Sequence, residues 1–270
     1  MLSHRFAKWV FVAFGLVFMQ AVQAQETAEK GRAVLNANKD AVVTVRTVLK
    51  MTVMGNSNEM VQECTGTVLD ESGLTVLSLS NIDPTEMLRS MTRMSGQDFE
   101  VSSEITGAEI LREDGSELEA KVVLRDKHLD LAFVRPRETL DTPMAHVDIS
   151  TPGKPQLLDQ LVVLNRLGKV ARRTHSASIE WVEAIVDKPR TFYIPGTQPT
   201  HSALGSPAFT LDGAFVGVLV TRTIQDDSGG SMFGMFGGGN QNTLGIIVPV
   251  DDIMEGAQQA PPAESTDGAE

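Results

Sequence analysis

The side chains of this chain with the most chemical potential sit in one stretch, His201-Ser202-Ala203-Leu204-Gly205-Ser206-Pro207-Ala208-Phe209. It holds one imidazole and two hydroxyls. A serine hydroxyl attacks a carbonyl only when a base within hydrogen-bond reach takes its proton and a third group orients that base. Beyond residue 24 four histidines could be the base: His128, His146, His175 and His201. His201 and Ser202 are adjacent, and neighbouring side chains of an extended segment point apart. Ser202, Ser206 and His201 are thus the residues from which acyl-transfer chemistry could be rebuilt, with no third member evident nearby. No His-Glu-x-x-His, Cys-x-x-Cys, P-loop or Gly-x-Gly-x-x-Gly context occurs, so no metal site and no cofactor is expected.

Length, charge and cysteine content narrow the class. The chain has 270 residues, enough for one large or two modest domains with a real core. Met1 to Ala24 has the layout of a secretory signal: Arg5 and Lys8 at the start, an apolar run from Trp9 to Met19, and small residues before a cut after Ala24. The apolar run is short for a membrane span, and an uncleaved anchor is the alternative. Cleavage leaves 21 Lys and Arg against 35 Asp and Glu, a net charge of −14. That balance argues against nucleic acid or anionic lipid as partners, since both select basic faces. The expected location is periplasmic or secreted. Cys64 is the only cysteine, so no intrachain disulfide can form. It lies in an alternating strand and reads as a small buried hydrophobe.

The elements that must position these residues are short strands. Residues 25 to 38 read as a polar lead-in with a short helix. Ala41 to Val48, Val61 to Leu69 and Leu74 to Leu79 are strand-like, with turns at Gly55 to Glu59 and Asp70 to Gly73. Residues 82 to 108 break the rhythm as an insertion, in which Met87, Leu88, Met91 and Met94 sit at helical spacing. Ala108 to Leu111, Leu118 to Arg125 and Leu129 to Arg135 complete a first set. A second set follows at Leu161 to Leu164, Ala177 to Val186, Thr191 to Ile194, Ala208 to Leu211, Ala214 to Thr221 and Thr243 to Val250. Asp251 is expected to cap a terminal helix reaching Gln259, and Ala260 to Glu270 to form a disordered acidic tail. Two runs of about six short strands predict an all-β fold of two packed six-stranded barrels. The barrels are expected at 25–145 and 146–259.

Several matches now coincide in order along the chain. Gly205-Ser206-Pro207, the strand Ala208 to Leu211, the turn Asp212-Gly213 and the strand Ala214 to Val220 resemble the nucleophile loop and following hairpin of trypsin-like serine proteases. Cys64 to Asp70 and Gly73 to Ile82 resemble the strand pair of the HtrA/DegP family of exported bacterial proteases that supplies the catalytic histidine. Asp114 to Val123, Asp126 to Ala132 and Leu244 to Val250 resemble that family's hairpin, aspartate segment and closing strand. The resemblance covers residues 38 to 258 and implies a chymotrypsin-like double barrel.

Carried over residue by residue, the resemblance implies a triad broken twice. Ser80 or Asn81 stands at the histidine position, since a one-residue slip exchanges their faces. Leu204 stands at the nucleophile position, and only Asp130 keeps its type. A leucine has no lone pair with which to attack, and a serine hydroxyl is no useful base near neutral pH. Ser202 replaces a glycine of the oxyanion loop, so that loop is expected to collapse. The expectation is a pseudoprotease that binds a peptide or protein. The alternatives are an active endopeptidase with a rearranged triad and a structural envelope component. Met232, Phe233, Met235 and Phe236, on a glycine-rich connection between the last two strands, are the expected adaptable apolar contact. The family's usual C-terminal PDZ module is not expected, because about 20 residues follow Val250.

Overall fold

β-Branched runs set the strands. The computed structural model describes residues 25–85, 88–89, 101–223 and 243–262. β1 (Val42–Val53), β2 (Asn56–Val68), β3 (Thr75–Ser78), β4 (Val101–Leu111), β5 (Glu117–Asp126) and β6 (Leu131–Pro136) close a barrel in the order β1-β2-β3-β6-β5-β4. β7 (Gln160–Arg166), β8 (His175–Val186), β9 (Phe192–Pro195), β10 (Pro207–Thr210), β11 (Phe215–Thr223) and β12 (Thr243–Pro249) close a second barrel in the order β7-β8-β9-β12-β11-β10. The two barrels repeat one antiparallel topology, as the strand rhythm predicts. A helix over residues 25–38 (α1) precedes them, and α2 (Val250–Ala257) follows.

Three boundaries differ from the sequence expectation, each for a physical reason. β1 runs five residues past Val48, and β2 begins at Asn56 rather than Val61. Here the hairpin leaves the barrel and β2 is exposed from Asn56 to Val61, so burial no longer imposes alternation. β4 starts at Val101, so the end of the expected 82–108 insertion is strand. It pairs with the outer half of β1, from Val53↔Val101 to Leu49↔Ile105. Asp251 does not cap α2: Pro249 is the N-cap, with no side-chain cap hydrogen bond. Asp251 and Asp252 lie in the first turn instead, where acidic side chains favour the helix dipole. Leu88 N–H donates to Pro84 O, one helical turn of the expected methionine helix. Met87, Met91 and Met94 lie outside the described residues, as do the expected signal and the tail from residue 263.

One core joins the barrels. Leu69, Leu74, Val76, Leu131 and Phe133 of the first barrel pack in a single buried cluster with Val162, Phe209, Phe215 and Val218 of the second. Val34 of α1 and Ile253 of α2 close it from either side. A Cβ on Gly256 would meet the Phe133 ring at 2.8 Å, so the helix packs closely over that ring.

Gly205 and its neighbours sit at this junction. Gly205 has φ 90°. A Cβ there would lie 2.1 Å from Thr65 O in the first barrel. Gly205 N–H donates to Leu219 O at 2.7 Å, and its carbonyl accepts from Thr67 Oγ1 at 3.0 Å. Gly205→Ala meets both a left-handed backbone and a backbone clash. It is expected to lower stability by at least about 2 kcal/mol, read as a fall in the urea midpoint at unchanged m.

Candidate functional site

The site is assembled from the short 3-10 turn Leu79–Asn81 after β3, the loop before β6, the turn His201–Ala203 and the end of β11. Asp130 is its centre. It is 8% exposed and adopts φ 56°, a left-handed conformation that aspartate tolerates better than most residues. Its Oδ1 accepts from Ser80 N at 2.7 Å and from Ser80 Oγ at 2.6 Å. Its Oδ2 accepts from Ser78 Oγ at 2.6 Å, and from Thr221 N and Thr221 Oγ1, both at 3.0 Å. A buried carboxylate is tolerable only when donors replace lost water. Here five donors do so, and Thr221 brings two of them from the other barrel.

Ser80, not Asn81, is the residue against the aspartate. Asn81 turns the other way and donates from Nδ2 to Leu204 O at 3.0 Å. Leu204 is 3% exposed. Ser206 is fully buried, and its Oγ has no hydrogen-bond partner among the described residues. Ser202 is exposed, and its Oγ shares a 3.0 Å hydrogen bond with Thr200 Oγ1. The stretch His201–Ala203 is not extended but a 3-10 turn, with Ala203 N–H donating to Thr200 O at 2.8 Å. Amides in such a turn point back along its own axis.

The imidazoles lie elsewhere. His146 Nδ1 is 3.1 Å from Met144 O. His175 sits between the barrels, with Nδ1 3.2 Å from Glu113 Oε2 and Nε2 3.2 Å from an Arg166 amine. His128 is exposed, and its backbone N–H donates to Asp126. The side chain of His201 lies outside the described residues, and so do Met232, Phe233, Met235 and Phe236. Among the described side chains, then, no imidazole reaches Ser202, Ser206 or Asp130. Among the described residues no group of three or more His, Cys, Asp or Glu is placed to hold a metal ion.

A cavity of about 420 Å³ opens beside this arrangement. Gln62, Glu63 and Cys64 of β2 form one wall. Ser80, Asn81 and Ser202 face them, with Pro84 at the rim. Glu63 is held by three cations: Arg173 at 2.8 Å, Arg46 at 3.3 Å and Lys169 at 3.4 Å. Burial pushes its carboxyl up, but the hydrogen bonds and charges of Arg173 and Arg46 outweigh it and hold the group below its ordinary range. The half-buried Cys64 donates its thiol to Val45 O at 3.7 Å. Burial, then the Glu63 charge, push that thiol up to about 12. A thiol so protonated at neutral pH is no nucleophile.

No family model matches the chain, and no curated protein matches it. Among solved structures it is similar to an HtrA-type protease, AlgW, solved as a serine-to-alanine variant with a tripeptide. The TM-score is 0.53 at 14% identity, covering 85% of this chain and 62% of that one. The fold is that of a trypsin-like HtrA protease domain. At this identity the likeness concerns fold, and this chain spans less than two thirds of the HtrA-type protease chain it matches. The HtrA-type fold explains why Ser80, Asp130 and Leu204 gather at the junction of two barrels although 124 positions separate the first and last.

Ser78 and Thr221 are partners that the sequence did not disclose. Ser78 carries a faint signal, a hydroxyl two residues before Ser80 in an otherwise apolar strand. Thr221 carries none, since only the register of β11 brings it to Asp130.

Two outcomes follow from these contacts. Asp130→Ala leaves Ser78, Ser80 and Thr221 without their acceptor and is expected to cost about 2–4 kcal/mol in chemical denaturation, with Asp130→Asn losing less. The depressed Glu63 carboxyl contributes stability above its unfolded pKa, and that contribution is lost as pH falls through its folded pKa. Glu63→Gln is therefore expected to be less stable than wild type at pH 7, with the gap closing progressively below about pH 4.5. A gap independent of pH would assign the effect to packing instead.

Proposed function

We propose that this chain is an exported trypsin-like domain without peptidase activity, acting as a peptide- or protein-binding module. The observation that carries the reading is the state of Asp130. Its carboxylate oxygens are filled by Ser78, Ser80 and Thr221, all of them hydroxyl or amide donors. General-base catalysis needs a group that can accept the nucleophile's proton and return it to the leaving amine. Neither Ser80 nor Leu204 can take part in that exchange.

The same geometry supports binding. A cavity of about 420 Å³ lies beside Asn81, lined by residues of both barrels. Met232, Phe233, Met235 and Phe236 are proposed as an adaptable apolar contact for the same partner, on the strength of their sequence alone. Residues 1–24 are proposed to direct export and to be removed after Ala24, which places the module in the periplasm or medium.

The decisive experiment treats purified protein lacking residues 1–24 with a fluorophosphonate probe, read by intact mass beside casein digestion. The expected result is no adduct and no cleavage. A single adduct on Ser202 or Ser206 would overturn the proposal and reinstate an endopeptidase with a rearranged triad. Partner capture is then expected to weaken when 232–236 are replaced by Gly and Ser.

A further inference from the structure

We propose that the outer edge of β2 is a strand-addition site for an extended, net-basic peptide, one end of which enters the cavity at Asn81. This deepens the binding-module reading and rests on it.

The first support is register. β1 and β2 pair without a slip from Val42↔Thr67 to Val53↔Asn56. Met54 and Gly55 close the hairpin with φ of 52° and 80°. Positive φ at both central residues is the signature of a type I′ turn, whose flanking residues form a hydrogen-bonded pair. Pairing alternates from there. Ser57, Glu59 and Val61 fall at the non-hydrogen-bonded positions, so their N–H and C=O groups point away from β1. β3 meets β2 only at Thr67 and Val68. Among the described residues, no strand covers the edge from Ser57 to Glu63. Unpaired backbone of this kind is a template for another strand. This stretch has neither a proline nor a bulge to blunt it.

The second support is continuity. The next residues, Gln62, Glu63 and Cys64, are the wall of the cavity. A strand laid along Ser57 to Val61 therefore runs into it. There Asn81 is 3% exposed, with Nδ2 engaged by Leu204 O and Oδ1 without a partner among the described residues. A buried acceptor without a donor is costly.

The third support identifies the occupant. Met60 and Val61 are 39% and 60% exposed on alternate faces of the edge, ready to meet apolar side chains of an added strand. A second copy of this chain without residues 1–24 would bring −14 against −14. Those like charges disfavour self-pairing, while the same field draws a basic peptide. Glu63 is already held by Arg46, Arg173 and Lys169, which leaves Glu59 as the edge carboxylate for an incoming Lys or Arg.

The test measures fluorescence anisotropy of labelled peptides of roughly eight residues, a common strand length, with the purified protein. The probes are an alternating Val-Lys peptide, its Val-Glu counterpart, and the Val-Lys peptide with alternate backbone amides N-methylated. The Val-Lys peptide is expected to bind, with the other two at least about tenfold weaker. Val61→Pro removes one outward N–H while sparing the β1 ladder, and edge positions tolerate proline. It is expected to weaken Val-Lys binding by a similar factor, with Val61→Thr close to wild type. Should Val61→Pro fail to fold, the N-methylated peptide decides, since it leaves the protein untouched. Equal binding of the N-methylated peptide, or a folded Val61→Pro that binds like wild type, would refute the edge site and leave the binding module standing. Failure of every peptide to bind would likewise refute the edge site, while the binding-module reading is decided by the probe and capture experiments. A concentration-dependent dimer in sedimentation velocity that Val61→Pro abolishes would assign the edge to a second copy and overturn the proposal.

Discussion

Asp130 is a carboxylate taken out of water at the seam between two barrels, and the surrounding structure is arranged to keep it satisfied. Ser78 and Ser80 reach it from the first barrel, and Thr221 reaches it from the second. Because a buried charge without donors is far more costly than a missing neutral contact, these bonds fix how the barrels meet. An imidazole at this place would satisfy one oxygen and add a base. Three hydroxyls and two amides satisfy both oxygens and add none. The carboxylate is thus fully satisfied, and none of its five donors is an imidazole.

The rest of the seam follows the same logic of close backbone approach. Gly205 lies so near Thr65 O that no side chain fits. Thr65 Oγ1 donates to Asn165 Oδ1 at 2.6 Å across the barrels, and Thr67 Oγ1 to the Gly205 carbonyl. Glu63 adds a charged link through Arg173 at 2.8 Å. With the seam held at so many points, the cavity is walled by residues of both barrels, Gln62 to Cys64 from one and Ser202 from the other. A concave surface held between two packed barrels has the shape that recognition sites share.

The hairpin β1–β2 shows how far that surface extends. Inside the barrel both strands are covered on each edge, and Val43, Val45 and Val68 fill the interior. Beyond it, β4 covers one edge of β1, and among the described residues no strand covers the far edge of β2. Barrel closure removes edges only where the barrel exists.

Much of the fold was legible in the chain. Alternating runs located most of the twelve described strands to within a few residues, because burial imposes a period of two, while β4 begins at Val101, seven residues before the expected Ala108. Asp130 and Leu204 stood out in the chain because local motifs resembling those of the HtrA family keep their order. Where the hairpin projects into water, the pattern at Asn56-Ser57-Asn58-Glu59 carries no such signal, and the turn was misplaced. The choice between Ser80 and Asn81 was likewise out of reach, since they differ by one position and the 3-10 turn at Leu79–Asn81 sends them to different partners. By itself the sequence determined the residue types, and with them that no base or nucleophile stands at the two positions the resemblance marks. Only the tertiary structure decided what Asp130 does instead, because Thr221 lies 91 residues away and reaches it solely through the packing of one barrel on the other.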